Sequence, residues 1–268
     1  MPEGPSLAQA VDFAADGLSL DAWLGGRLKL MQPKRGHRVG SDAALLAAAC
    51  DASSGRVVDV GAGVGAVGLA LVRRCERLHA DLVEIDAVLA RLARDNAERN
   101  GLGKRVRIFQ VDVSDARARR EAGLADETAD AVVTNPPFFE AGAARASPDE
   151  ARARAHIFSA GEPGAALMNW IRACLALITP GGRFVMIHRP DALQPILAAA
   201  ENRLGALALL PVQPRAGASA HRLLVSGVKG SKAPLRIAPA LVLHESDGRL
   251  TAEADAIHRG DRLVDWGP

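Results

Sequence analysis

The segment VVDVGAGVGAVG, from Val57 to Gly68, joins an apolar run to a helical pattern through closely spaced glycines. Its valine-rich start predicts a buried strand, and AVGLALVRRC at its end predicts a helix. Glycines between a strand and a helix let the backbone turn sharply and pass close to a ligand. The segment therefore predicts an α/β sheet with a ligand at the carboxyl end of this strand.

Strand and helix patterns alternate beyond this segment. Four further runs predict strands: HADLVEID, RVRIFQVD, ADAVVTN and RFVMIH. Helices are predicted at AVLARLARDNAERNG, which Gly101 closes, and at GAALMNWIRACLALI, which ends at TPGG. Two strands, ALALLPVQ and HRLLVSGV, then follow with no helix between them. The pattern indicates an α/β fold with a mostly parallel, doubly wound sheet and an antiparallel strand near its C-terminal end.

Short additions are predicted at both ends of this core. LDAWLGGRLKLMQ alternates around Gly25-Gly26 and predicts an N-terminal β-hairpin, and Ser41 or Asp42 is placed to cap the next helix. LVLHESDGRLT predicts a last hairpin around Asp247-Gly248. We expect a flexible lead-in at residues 1–17 and a single domain at residues 18–268. That domain divides into a hairpin and basic segment (18–40), a catalytic core (41–228) and a β addition (229–268).

Composition narrows the class of protein. The 268 residues are 49% hydrophobic, but no apolar run approaches the ~20 residues of a membrane span. The N-terminus lacks the basic start and apolar centre of a signal peptide. Cys50, Cys75 and Cys174 lie in apolar helical stretches, which favours free thiols. We expect a cytoplasmic protein with no membrane association and no metal site.

Positive charge is concentrated near the N-terminus, although the net charge is only +2. The segment GGRLKLMQPKRGHR contains no acidic residue. Its cations are Arg27, Lys29, Lys34, Arg35 and Arg38. Such a cluster is either a solvated face or a surface that binds phosphate.

The glycine segment has two interpretations. From Gly63 it matches the dinucleotide fingerprint, with further glycines at 65 and 68. From Asp59 it resembles the glycine loop of S-adenosyl-L-methionine-dependent methyltransferases, Asp59-x-Gly61-x-Gly63-x-Gly65. The loop alone does not decide between a nicotinamide cofactor and a methyl donor.

Three acids at predicted strand ends favour the methyl donor. Asp59 can address a cationic amino-acid portion, which a pyrophosphate-binding loop does not need. Glu84 can accept both ribose hydroxyls, a feature shared with NAD-binding proteins. Asp112 is placed to accept from an adenine amino group. Asp59 as a helix cap and Asp112 as a turn residue are the alternatives.

The motif Asn135-Pro136-Pro137-Phe138 ends the strand ADAVVTN. It resembles the (Asn/Asp)-Pro-Pro-aromatic motif of class I methyltransferases that act on planar nitrogens, and so implies their Rossmann-like fold. If the Asn135 side-chain oxygen and the Pro136 carbonyl each accept an N–H, the nitrogen lone pair turns towards the methyl group. Each proline restricts the residue before it, and Phe138 offers a ring for stacking.

The flanking segments narrow the resemblance. GGRLKLMQPKRGHRVGSDAALLAAA, ASPDEARARAHIFSAGEPGAALMNWI and the tail through LVLHESDG are similar to the tRNA(Val) adenine-N6 methyltransferase family. The family commonly has Tyr after the prolines, whereas this chain has no tyrosine. The resemblance implies transfer of a methyl group to adenine N6 in tRNA, beside the anticodon. It places Arg38 and Asp42 near the donor or the entrance to the site.

The same resemblance places Arg154 and His156 near the incoming nucleotide, and we expect Lys34 and Arg35 to bind phosphate. Other functions remain open. A glutamine N5-methyltransferase acting on a release factor also uses this motif, but such proteins usually carry a preceding helical domain. A guanine-N2 rRNA methyltransferase often has an additional domain. An NAD-dependent oxidoreductase would leave the Asn-Pro-Pro-Phe motif unexplained.

Overall fold

The computed structural model describes residues 17–36, 38–137 and 164–267. The strands are β1 (Leu18–Trp23), β2 (Leu28–Pro33), β3 (Gly55–Val60), β4 (Leu78–Glu84), β5 (Val106–Gln110), β6 (Ala129–Thr134), β7 (Ile178–His188), β8 (Leu204–Arg215), β9 (Arg222–Lys229), β10 (Arg236–Ile237) and β11 (Leu241–His244). The helices are α1 (Ser41–Ala49), α2 (Ala66–Arg74), α3 (Ala87–Arg99), α4 (Ala116–Glu121), α5 (Ala165–Leu177), α6 (Leu193–Ala200) and α7 (Ala252–His258).

Within these ranges, nine strands form one sheet in the order β10-β8-β9-β7-β6-β3-β4-β5, with β11 also paired to β8. Strands β3, β4, β5, β6 and β7 are all parallel to one another, and β9 is antiparallel to both β7 and β8. The predicted sheet and its antiparallel strand are confirmed. Because the chain moves outward from β3 to β5 and then returns to β6, the strand order reverses between β3 and β6.

Alternate residues of the central strands pack into two apolar layers. In β3, Val57 belongs to the layer with α1, α2, α3, α7 and the hairpin, whereas Val58 faces α5 and α6. The same alternation separates Ala131 from Val132 in β6. Since both faces of the parallel strands are buried, their sequences read as nearly continuous apolar runs.

Cap residues explain where α3 begins and ends. The Asp86 carboxylate accepts hydrogen bonds from the N–H groups of Val88 and Leu89 at 2.8 and 3.0 Å. The helix ends at Arg99, and Gly101 adopts a φ of +68°, which favours glycine. The predicted stop at Gly101 is confirmed.

The N-terminal hairpin is confirmed, with β1 and β2 antiparallel around a turn at 24–27. The side chains of Leu28 and Leu30, in β2 of this hairpin, are fully buried. The predicted cap of α1 was wrong. Gly40 is the N-cap residue and no side chain caps this helix, because the Asp42 carboxylate is paired with Arg222 instead.

Two other boundaries differ from the predictions. TPGG does not separate α5 from the next strand, because β7 already begins at Ile178. In β6, Ala129 pairs with Ile178 but Ala131 pairs with Arg183, and this shift in register accommodates the four residues. The last predicted hairpin is reduced to one antiparallel bridge between His244 and Leu250. Its return strand is replaced by α7, whose first turn is capped by the Thr251 hydroxyl, which accepts from Ala254 N–H at 3.1 Å. The segment after 229 is therefore not purely β.

A short helix, α4, was not predicted. Asp115 caps it by accepting from the N–H groups of Arg117 and Ala118. The segment DARARREA was interpreted only as a group of basic residues on a solvated surface, so its helix was not predicted. Residues 1–16 of the lead-in predicted at 1–17 lie outside the described residues.

The three cysteines are free, with Cys50 and Cys174 buried and Cys75 partly buried. None of the helices in the described ranges is both long and apolar enough to span a membrane.

Candidate active site

The candidate site lies where the strand order reverses, at the carboxyl edge of the sheet. Val60, the last residue of β3, is paired in register with Thr134, the last residue of β6. Gly61 and Asn135 therefore leave neighbouring strands side by side. Ligands of open α/β sheets bind in the crevice at such a reversal.

The three predicted loop glycines all have positive φ angles: +73° at Gly61, +57° at Gly63 and +89° at Gly65. The loop is held to the sheet because Gly61 and Ala62 both donate N–H groups to the Val83 carbonyl, at 2.9 and 3.0 Å. A Cβ at Gly63 would meet no heavy atom within 4 Å, so this part of the loop borders open space. The loop backbone at Gly63 is therefore open to the approach of a ligand.

Gly68 has a different task. A Cβ on this residue would lie 2.2 Å from Leu82 Cδ2, so the glycine permits α2 to pack closely on β4. The dinucleotide fingerprint also uses its third glycine for close packing of helix and strand. Gly68 consequently does not distinguish the two interpretations of the loop.

Asp59 lies within β3 and is only 2% exposed. Its Oδ2 accepts the Gly68 N–H at 2.8 Å, which satisfies a donor of the first turn of α2, where the N-cap residue is Gly65. Burial raises the pKa of Asp59 to about 7, with the Gly68 hydrogen bond opposing this shift and the Glu84 charge adding to it. The capping alternative therefore has a geometric basis, and a contact with a cationic donor group stays a prediction.

Glu84 ends β4 and is 9% exposed. Its Oε2 accepts from Gly63 N–H at 2.8 Å, and its Oε1 accepts from Asp86 N–H at 2.9 Å. Burial raises the pKa of this carboxyl group. Glu84 thus fixes the open part of the glycine loop, while its predicted contact with a ribose stays a prediction.

Asp112 lies two residues beyond the end of β5, rather than at the strand end. Its Oδ1 accepts the backbone N–H of Ser114 at 2.8 Å and the Ser114 hydroxyl at 2.6 Å. These bonds form a local turn that holds the carboxylate in place. Its contact with an adenine amino group stays a prediction.

Asn135 and Pro136 follow the end of β6 directly. Asn135 is partly buried, Pro136 is buried and Pro137 is exposed. The Thr134 hydroxyl, which is fully buried, donates to the Val60 carbonyl at 2.9 Å. This bond ties the start of the Asn-Pro-Pro motif to the strand that carries the glycine loop.

Trp170 of α5 supports both segments and was missed in the sequence. Its indole N–H donates to Thr134 Oγ1 at 2.9 Å. Its ring lies over Gly61, where a Cβ would come within 3.1 Å of it. The only available signal was a single Trp in an apolar helix, a pattern that favours an ordinary core residue.

Arg38 and Asp42, predicted near the donor or the entrance to the site, are both in ion pairs. Arg38 Nη2 lies 2.8 Å from Asp21 Oδ2 of β1, and Arg222 Nε of β9 lies 2.8 Å from Asp42 Oδ2. Arg222 is the first residue of β9, and the start of β9 pairs antiparallel with the end of β7. Asp42 therefore lies at the same edge of the sheet as Asn135. Binding of the donor by either residue stays a prediction.

The predicted substrate contacts are only partly within the described residues. Lys34 and Arg35 are exposed just after β2. Phe138, Arg154 and His156 lie outside the described residues.

Comparison with known proteins places the chain among methyltransferases. A family described as methyltransferase small domain matches residues 36–162. A tRNA1(Val) (adenine(37)-N6)-methyltransferase from Aeromonas hydrophila is 30% identical over 214 residues, covering 79% of this chain and 84% of that protein. The protein of the same name from Porphyromonas gingivalis is 30% identical over 224 residues, covering 81% and 85%.

Solved structures show the same fold. A predicted O-methyltransferase from Agrobacterium tumefaciens superposes with a TM-score of 0.69 and 31% identity, covering 83% of this chain and 98% of that one. An S-adenosyl-L-methionine-dependent O-methyltransferase from Thermotoga maritima, at 19% identity, has a TM-score of 0.52 and covers 74% and 69%.

Proposed function

The chain belongs to the tRNA1(Val) (adenine(37)-N6)-methyltransferase family, and on that premise we propose that it transfers a methyl group from S-adenosyl-L-methionine to the exocyclic N6 of an adenine in tRNA. The adenine lies beside the anticodon, as position 37 in the relatives' name indicates. The observation that carries the proposal is the pairing of Val60 with Thr134. It sets the glycine loop and the Asn-Pro-Pro motif next to each other.

Four elements of the chain would hold the donor. The glycines at 61, 63 and 65 bring backbone close to it, Asp59 faces its amino-acid portion, Glu84 its ribose and Asp112 its adenine. When bound, S-adenosyl-L-methionine supplies an electrophilic methyl group on a sulfonium. Its cationic charge suits a site in which two buried carboxylates, Asp59 and Glu84, lie near each other.

Asn135 and Pro136 would activate the acceptor nitrogen. An adenine N6 is a poor nucleophile because its lone pair is delocalised into the ring. If Asn135 Oδ1 and the Pro136 carbonyl each accept one of its N–H groups, the nitrogen is pushed towards tetrahedral geometry, so that its lone pair is no longer delocalised into the ring and would point at the methyl group. Carbonyl dipoles would also stabilise the positive charge that develops on nitrogen as the methyl–sulfur bond breaks and S-adenosyl-L-homocysteine leaves; the extra proton on nitrogen would then pass to water.

The tRNA would be held by cations and by stacking. We assign phosphate contacts to Lys34 and Arg35, nucleotide contacts to Arg154 and His156, and base stacking to Phe138. The anticodon loop suits such a site, since proteins read unstacked bases in single-stranded RNA loops. The free thiols favour a cytoplasmic location.

Methylation of RNA by the purified protein tests this function. Unmodified tRNA would be incubated with donor carrying a labelled methyl group, digested to nucleosides and separated. We expect label in N6-methyladenosine. Label in N2-methylguanosine, in a 2′-O-methyl nucleoside, or in the glutamine of a release factor but not in RNA would contradict the proposal. Stabilisation by NAD, rather than by S-adenosyl-L-homocysteine, in a thermal-shift assay would favour the oxidoreductase.

A further inference from the structure

Two asparagines cover the outer edge of β2: Asn96 in the last turns of α3, and Asn100 immediately after the helix. Asn100 Oδ1 accepts the Lys29 N–H at 2.9 Å, and its Nδ2 donates to the Lys29 carbonyl at 2.8 Å. One helical turn earlier, Asn96 makes the same pair of bonds to Met31, at 2.7 and 3.0 Å. Two side-chain amides thus take the place of a neighbouring strand, which an exposed β edge otherwise lacks.

Asn96 and Asn100 each make one further bond, and these bonds differ: Asn100 Nδ2 also donates to the Asn96 carbonyl, at 2.8 Å. Asn96 Nδ2 also donates to the Val64 carbonyl at 3.0 Å. Val64 lies between Gly63 and Gly65 in the glycine loop. Asn96 is 0% exposed, and both hydrogens of its amide are used, one for the hairpin and one for the loop. A single buried side chain therefore joins the two segments directly.

The orientation of β2 gives this link its significance. Lys29 lies opposite Asn100 and Met31 opposite Asn96, so β2 runs antiparallel to α3. The strand consequently leads Lys34 and Arg35 towards the start of α3, which is at the carboxyl edge of the sheet. The cations assigned to tRNA lie three and four residues from the backbone that Asn96 holds.

We propose that Asn96 is a positioning residue that couples tRNA bound by the hairpin to methyl donor bound by the glycine loop, so that each ligand tightens the binding of the other. The inference rests on the proposed function, since it requires an RNA ligand on the hairpin. Fixing β2 also fixes the Val64 carbonyl, because the two share one rigid amide. A loop already ordered in this way loses less conformational freedom when it binds the donor.

Calorimetric titration measures this coupling. S-adenosyl-L-homocysteine would be titrated into the protein alone and into its complex with unmodified tRNA, for the wild type and for Asn96→Ala and Asn100→Ala. For the wild type, tRNA should lower the dissociation constant about fivefold or more. Asn100→Ala, the matched control, loosens the hairpin but not the loop and should keep this ratio. Asn96→Ala should bring it to about one.

Three outcomes would overturn the proposal: no coupling in the wild type, wild-type coupling in Asn96→Ala, or equal loss in both variants. If Asn96→Ala does not fold, amide exchange in the wild type provides the test. S-adenosyl-L-homocysteine alone should slow exchange of the Met31 N–H and leave that of Lys29 unchanged, and an unchanged Met31 rate would contradict the link. This measurement needs no RNA, so its failure is distinguishable from a failure of the methylation assay.

Discussion

Asn135 is the residue on which the proposed chemistry depends most. Asn135→Ala removes a side-chain acceptor from the site and leaves the backbone carbonyls in place. We expect kcat on tRNA to fall by about 10²–10³-fold, the usual loss when one preorganised polar partner of a transition state is removed. Single-turnover methylation of unmodified tRNA measures this change.

The matched variant is Asn135→Asp, which keeps an acceptor oxygen at the same position and an acid that the wider motif allows. We expect it to retain at least about a tenth of the wild-type rate, far more than the alanine variant. Affinity for S-adenosyl-L-homocysteine should stay within about twofold in both. Equal rates for the alanine variant and the wild type would remove Asn135 from the mechanism.

Asp59 should make donor binding pH-dependent. Burial raises its pKa to about 7, so the carboxyl group of the free protein is largely protonated under mildly acidic conditions. A cationic amino group prefers the ionised form. S-adenosyl-L-homocysteine should therefore bind about tenfold more weakly one pH unit below this pKa than well above it. Asp59→Asn should abolish the dependence, whereas Asp115→Asn, which alters the exposed cap of α4, should not.

The same pKa has a consequence for stability with a definite sign. Because the folded-state pKa lies above the ordinary value of an aspartate, the folded protein binds more protons than the unfolded chain between about pH 4 and 7. The Asp59 contribution to the free energy of unfolding thus falls as pH rises through that range. Asp59→Asn should flatten this part of the stability profile in urea titrations; an unaltered profile would contradict the assignment.

At the scale of elements, α5 supports the ends of β3 and β6 through one side chain. Trp170→Phe keeps an aromatic ring over Gly61 but removes the N–H that donates to Thr134. We expect a loss of about 1 kcal/mol in the free energy of unfolding. We also expect kcat to fall several-fold, since Thr134 directly precedes Asn135.

Trp266→Phe is the matched control for this change. It removes a comparable indole hydrogen bond, to the Ala49 carbonyl at 3.1 Å, at the end of α1 that is remote from the site. Its stability loss should be similar, and methylation should be unaffected. If both variants lose the same activity, the effect of Trp170 is one of general stability and not of positioning.

Element boundaries were predictable where a local signal acts alone. Gly101 ends α3 because its positive φ interrupts the helix, and this requires no other segment. The cap of α1 was not predictable in the same way. Asp42 has the right residue type, but its carboxylate pairs with Arg222, 180 residues away, and no local pattern contains that partner.

At the scale of the whole molecule, binding of tRNA should depend on salt through the exposed cations after β2. Reversing Lys34 and Arg35 together to Glu should weaken tRNA binding and reduce the slope of log K against log salt by about 1–2. Arg38, which is paired with Asp21, is left unchanged in this double variant. Filter binding between about 50 and 200 mM salt measures the slope.

The control for this prediction reverses two exposed lysines at the opposite edge of the sheet, Lys104 and Lys232. These changes shift the net charge by the same amount. The control should leave the slope close to that of the wild type. An equal reduction in both double variants would mean that total charge governs binding, rather than a surface formed by the hairpin.

The sequence by itself determined the alternation of strands and helices, the glycine loop, the order of the strand-end acids and the Asn-Pro-Pro-Phe motif. These features depend on residues close together in the chain, and hydrophobic periodicity and backbone preference act at that range. It did not reveal the bonds of Asp59 to Gly68, of Trp170 to Thr134 or of Asn96 to Val64. Only the tertiary structure decided these, because each requires the register of the sheet and the packing of a helix to bring distant segments within hydrogen-bonding distance.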